Sequence, residues 1–260
     1  MKSLKFLSLF SFALVLTSCL DTEEKILLNA DNSGTYSMSI DLGRMLKMAG
    51  SMGAKADNDQ VKEKKDTTVY LKDLMNDADN LTAAEKAVYK YGTIYVKLDE
   101  ASNEMKIVLS SPFKNATDLV ELKNNFSTVM NKLKAFEKAT GEKPKTDGEN
   151  EDMKAGAKSA NPIGDQFTFL ASPGKISNTI PNLETFKKNI AADSSLSMMT
   201  QMTAMMGDFN YRTIIVLPKA VKNYDGPGST ISTDKKTITF FTTLAEMMAH
   251  PEKVSYNVSY

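Results

Sequence analysis

The pattern that most constrains this fold is a pair of alternating apolar and polar segments followed by a helical one, met near residues 25–53, 93–138, 167–206 and 229–250. In the first unit, Lys25 to Ala30 and Thr35 to Asp41 flank the turn-forming tetrad Asp31-Asn32-Ser33-Gly34. Tyr36, Met38 and Ile40 alternate with Ser37 and Ser39, which describes a hairpin with one buried face. Leu42, Met45, Leu46, Met48 and Ala49 then recur every three or four residues, as on a helix. Hairpins separated by single helices imply an α+β fold in two layers, antiparallel sheet packed against helices, rather than a doubly wound parallel sheet.

The rest of the chain follows the same grammar. The apolar spacing from Thr67 to Met75 predicts a short helix, and Thr82-Ala83-Ala84-Glu85 reads as a capping box opening another that stops at Gly92. Thr93 to Asp99 and Met105 to Ser110 form a second hairpin, and Leu119, Leu122, Phe126, Val129, Met130, Leu133 and Phe136 predict one long helix from about Thr117 to Lys138. That stripe is too short for a coiled-coil partner and suits packing on the domain's own sheet. From 139 to 166 the chain is dominated by Lys, Glu, Gly, Asp, Asn and Pro and lacks the apolar residues to form a core, so it reads as a flexible excursion or as a linker between two domains.

Phe167 to Leu170 and Lys175 to Ile180 bracket Ser172-Pro173-Gly174 as a third hairpin, followed by a helix that Asn182 can cap. Tyr211 to Leu217 is the strongest strand signal. Thr230 to Ser232 pairs with Thr237 to Thr242, a short helix covers Leu244 to Ala249, and Val254 to Tyr260 closes the chain as a strand. The expected organisation is a leader at 1–18, an acidic tether at 19–24 and one α+β domain at 25–260.

The amino terminus sets the address. Lys2 and Lys5 precede an apolar run from Phe6 to Leu16, and Leu16-Thr17-Ser18-Cys19 follows, a secretory-signal pattern too short to span a membrane. Leu-Thr-Ser-Cys resembles the lipobox of bacterial lipoproteins. That resemblance implies a diacylglyceryl thioether on Cys19, cleavage before it and N-acylation by a fatty acid such as palmitate. The acidic Asp21-Thr22-Glu23-Glu24 reads as a solvated spacer, and also resembles the export signal behind the lipidated Cys of surface-exposed Bacteroidetes lipoproteins. The implied location is the cell envelope, on the periplasmic or surface face of the outer membrane.

Composition excludes several chemistries. Removing an 18-residue leader leaves 30 basic against 32 acidic side chains, a net charge of about −2, which does not suit a nucleic-acid partner. Cys19 is the single Cys, so its lipidation leaves no thiol for a disulfide or a nucleophile, and His250 is the single His, which rules out a His-rich zinc site. His250 precedes Pro251 and suits a helix C-terminus. No Gly-x-Ser-x-Gly elbow or phosphate-binding glycine loop occurs, and Gly226-Pro227-Gly228 reads as a turn. Glu23-Glu24, Asp57/Asp59 and Glu149/Glu151/Asp152 fall in stretches that read as exposed, where a catalytic carboxylate pair would lack preorganisation. The Asp57-Asn58-Asp59 cluster lacks the Gly and Glu of a calcium loop, so neither a metal nor another cofactor is expected.

Met198, Met199, Met202, Met205 and Met206 crowd five of the sixteen methionines into nine residues. Met198, Met202, Met205 and Met206 lie on helical spacing, as core filling requires, and flexible thioethers also line apolar ligand pockets such as one for acyl chains. Taken with the leader, the Asn32-Ser33-Gly34 turn and the late Leu217-Pro218 and Lys236-Thr237-Ile238 segments, the chain resembles the LppM-like envelope lipoproteins. The resemblance implies an α+β envelope domain in contact with lipids and brings no catalytic residues. The expectation is a membrane-anchored, non-enzymatic module that binds or scaffolds, with an envelope lipid, another apolar ligand or an envelope protein as partner. The alternatives are a structural accessory subunit and a carboxylate-dependent hydrolase.

Overall fold

A computed structural model of the protein describes residues 20–51, 63–78, 80–140, 166–193 and 207–260, together with 196, 197, 200, 201 and 203. The leader, Cys19, the Asp57 and Glu149 clusters, almost all of the excursion and the five crowded methionines lie outside the described residues.

The chain forms two open, mostly antiparallel sheets with helices, the α+β class implied by the hairpin pattern. The larger sheet is built from β1 (Leu20–Leu28), β2 (Gly34–Asp41), β3 (Lys64–Tyr70), β4 (Thr93–Asp99), β5 (Glu104–Phe113), β8 (Phe209–Val216), β10 (Thr230–Ile231) and β11 (Thr237–Thr243), in the order β10-β11-β8-β1-β2-β5-β4-β3. The smaller holds β6 (Thr168–Ser172), β7 (Lys175–Thr179), β9 (Asn223–Asp225) and β12 (Tyr256–Ser259), in the order β6-β7-β12-β9. At the centre of the large sheet β1 pairs antiparallel with β2 and parallel with β8, so the two halves of the sequence are joined edge to edge.

Register places one residue set on the inner face. Ile26 pairs with Tyr36 and Ile215, Met38 with Leu109, Leu109 with Ile94, and Ile215 with Ile238, and all of these are buried. Because side chains alternate along a strand, a slip of one residue would expose the entire set. The helices α4 (Ala116–Asn124), α5 (Phe126–Leu133) and α6 (Ala135–Thr140) supply Leu119 and Leu122, then Phe126, Val129, Met130 and Leu133, then Ala135 and Ala139 to the same core, and the Tyr36 and Phe126 rings meet edge-on at 6.4 Å. Phe240 of β11 stacks on Tyr256 of β12 at 4.6 Å, which packs the small sheet onto the large one.

Several expectations change. The acidic stretch read as a tether is the first half of β1: Asp21 pairs with Asp41, Glu24 with Met38, and Thr22 is buried. Pairing on both sides outweighs the poor strand propensity of Asp and Glu. The stretch from Thr67 read as helix is edge strand through Tyr70, where Thr67-Thr68-Val69 pairs with β4; only α2 (Leu71–Leu74) and a 3₁₀ turn at Met75–Asp77 are helical. The single long helix is three. Asn125 leaves helical geometry at φ −108° and ψ 10°, and Lys134 turns left-handed at φ 48°, so the chain redirects twice while its apolar stripe stays inward. β9 carried no alternation to find: all three of its residues are exposed.

Other local signals hold. α3 (Ala83–Tyr89) opens on the Thr82/Glu85 capping box, α7 (Leu183–Ala192) on the Asn182 cap, and α8 (Leu244–Ala249) on a second box from Thr243 and Glu246. α1 (Gly43–Ser51) follows β2 directly. At the first hairpin, Asp31 accepts from the amide and hydroxyl of Ser33, which lowers its carboxyl below the ordinary range, and Asn32 takes φ 65°. Gly34 is required there for space, since a Cβ would lie 1.9 Å from the Leu27 carbonyl oxygen.

Candidate functional site

Alternation along β1 directs Thr22, Glu24, Ile26 and Leu28 inward and Asp21, Glu23 and Lys25 outward. Glu24 therefore sits on a mostly apolar face, its side chain only 13% exposed. An isolated buried carboxylate would be costly, and three partners offset that cost. Lys123 of α4 reaches Oε1 at 2.5 Å, the Tyr36 hydroxyl donates to Oε1 at 2.8 Å, and the Thr213 hydroxyl donates to Oε2 at 3.4 Å. The Lys123 ammonium also lies 4.7 Å from the Phe169 ring and 5.9 Å from that of Tyr36, so aromatic faces replace part of its lost hydration. The next residue, Asn124, donates to the Phe169 carbonyl at 3.0 Å and accepts from the Phe169 amide at 2.9 Å. Two neighbouring residues on α4 thus bind both sheets.

Beside this network lies a cavity of about 100 Å³ between the sheets. Thr22, Glu24, Met38, Tyr211, Thr213 and Phe240 form its wall on the large sheet, Asn178 and Tyr256 on the small one, and Met247 and Val254 close the side. The buried hydroxyls of Tyr211 and Tyr256 have no hydrogen-bond partner among the described residues. Burial, and secondarily the charge of Glu24, pushes the Tyr256 phenol well up; burial and then Asp208 do the same for Tyr211. The Tyr36 phenol is raised by burial first and by Glu24 second. All three are neutral phenols near pH 7, able to donate or accept a hydrogen bond but not to act as phenolate nucleophiles.

The carboxylates of Glu23 and Glu24 point to opposite faces of β1, with Glu23 3.5 Å from Arg212 on the outside and Glu24 mostly covered rather than solvated as the sequence suggested. No group of three or more His, Cys, Asp or Glu able to hold a metal occurs among the described residues. His250 caps the C-terminal end of α8, with Nδ1 3.4 Å from Glu252, and is 56% exposed. No described helix is long and apolar enough to cross a membrane.

Met198, Met202, Met205 and Met206, the sequence's candidate pocket residues, lie outside the described residues; the described cavity is walled by Met38 and Met247 with tyrosines and a carboxylate. The available signal was the alternation of Thr22, Glu24, Ile26 and Leu28, which extends the first strand backwards into the acidic run.

No protein-family model matches the chain, and no curated protein matches it. Among solved structures it is similar to the NMR structure of the folded domain of the Mycobacterium tuberculosis LppM protein, with a TM-score of 0.34 and 10% identity over 94% of this chain and 91% of that one. This is a weak structural resemblance, with no support specific to Bacteroidetes lipoproteins.

Proposed function

We propose that the chain is a lipoprotein held in the cell envelope through Cys19 and that its domain binds a ligand rather than catalysing a reaction. The leader and the Leu16-Thr17-Ser18-Cys19 motif support the anchor. The observation that carries the binding role is the pair of buried hydroxyls, Tyr211 and Tyr256, that find no partner among the described residues, in a cavity whose carboxylate is already paired with Lys123. Buried hydroxyls are rarely left unpaired, because each forfeits its hydrogen bonds to water at a cost of about 1–3 kcal/mol. A small amphipathic ligand with an apolar body against Met38, Phe240 and Met247 and one polar head toward the tyrosines matches these walls. The volume of about 100 Å³ is too small for a whole acyl lipid and suits a compact molecule or the polar end of a longer one.

Native mass spectrometry of the protein purified from its host membrane tests the binding role. A co-purifying mass present in the parent and lost in a folded Tyr211→Phe/Tyr256→Phe variant supports it. An unliganded mass, with ordered water on both hydroxyls in a crystal structure, overturns it. For the anchor, labelled palmitate is expected in the parent and absent from Cys19→Ser; equal labelling of both rejects attachment at Cys19.

A further inference from the structure

β1 begins at Leu20, the residue after Cys19, and Leu20 already pairs with Phe209 of β8. Consecutive Cα atoms are about 3.8 Å apart, so a lipid on Cys19 is joined to the sheet without a spacer. Which part of the domain it meets follows from strand direction. β1, β5 and β8 start at this rim, with Leu20, Glu104 and Phe209, while β2, β4 and β11 end there, with Asp41, Asp99 and Thr243. The exposed turn at Ala101, Ser102 and Asn103 belongs to the same rim, as does the start of α1, where a Cβ on Gly43 would lie 2.7 Å from the Asn103 carbonyl oxygen. The opposite rim carries the turn at Ala30 and Asp31. At about 3.3 Å per residue, an eight-residue strand separates the two rims by roughly 25 Å.

We propose that this rim is a membrane contact surface: the lipidated chain stands with the 101–103 turn and the start of α1 against the lipid headgroups and the Ala30 turn pointing away. The orientation rests on the anchor at Cys19 and goes beyond it, because a chain with a flexible tether would present no fixed face. Here the residues that would form such a tether are hydrogen-bonded into the centre of the sheet on both sides.

The lipidated protein has no other thiol, so a single introduced cysteine can be labelled selectively. Ala101 and Ala30 are both exposed turn residues. Ala101→Cys and Ala30→Cys, each carrying a fluorophore, are reconstituted in vesicles of phosphatidylethanolamine and phosphatidylglycerol that contain a headgroup-labelled quencher lipid. The label at 101 should be quenched at least threefold more than that at 30, and a ten-residue Gly-Ser insertion between Cys19 and Leu20 should remove the difference. Equal quenching at both positions in protein whose intact mass includes the lipid would overturn the orientation while leaving the anchor standing. An intact mass without lipid on Cys19 would overturn both.

Discussion

Lys123 Nζ lies 2.5 Å from Glu24 Oε1, with the two side chains 9% and 13% exposed, and this contact ties helix α4 to the central strand of the large sheet. The pair is nearly dry, hydrogen-bonded and flanked by aromatic rings. In such a setting the penalty for losing one partner exceeds the net worth of the pair, since the remaining charge stays buried.

Lys123→Met and Glu24→Gln should therefore each destabilise the fold by about 3 kcal/mol in denaturant titration. The double variant Glu24→Gln/Lys123→Met should lose clearly less than the sum of the two singles. Additive losses would show that the charges act independently.

Asn124 satisfies both backbone groups of Phe169 on β6, which among the described strands is an edge strand of the small sheet. Asn124→Ala should leave a donor and an acceptor unpaired and cost about 2 kcal/mol. Hydrogen exchange is the direct check: the Phe169 amide should lose protection, while amides of β1 and β8 keep theirs.

Glu85 accepts from Lys132 at 2.7 Å and from the Thr82 amide at 2.7 Å, and these contacts hold its carboxyl below the usual range, with Lys132 the largest cause. A carboxyl whose folded pKa is depressed contributes stability above its unfolded pKa of about 4.3, and that contribution is lost as pH falls through the lower folded value. Parent and Glu85→Gln should thus differ in melting temperature at pH 7 and converge as the pH falls below the ordinary carboxylate range. A constant difference across that range would contradict the assignment.

Lys134 holds a left-handed conformation, φ 48° and ψ 40°, where α5 ends and α6 begins. Glycine takes this geometry without the Cβ clash that a lysine pays for. Lys134→Gly should raise stability by about 0.5–1 kcal/mol, measured by thermal melting. A loss would mean that the lysine side chain is required at that junction.

Gly34 faces the opposite constraint. A methyl group there would overlap the Leu27 carbonyl oxygen, which is fixed in the β1–β2 ladder, and the Phe113 ring. Gly34→Ala should cost at least about 2 kcal/mol, with the damage seen by hydrogen exchange at the Leu27 and Leu28 end of β1.

Local chemistry was legible in the chain itself. The hairpins around Asp31-Asn32-Ser33 and Pro173-Gly174, the capping box at Thr82 and the cap at Asn182 rest on contacts between residues a few positions apart, and the sequence states those contacts directly. The apolar periods of β2, β4, β5 and β11 likewise fix which side chains turn inward. What only the tertiary structure decided is where distant segments meet. The parallel pairing of β1 with β8 joins residues about 190 positions apart, and it alone converts Asp21-Thr22-Glu23-Glu24 from a solvated acidic run into a central strand. Glu24 becomes tolerable inside only because Lys123, Tyr36 and Thr213 arrive from three other elements, and the cavity exists only because the small sheet closes over Tyr211. Hydrogen-bond ladders and charge pairs of this range depend on closure of the whole chain, which no local pattern of apolar and polar residues encodes.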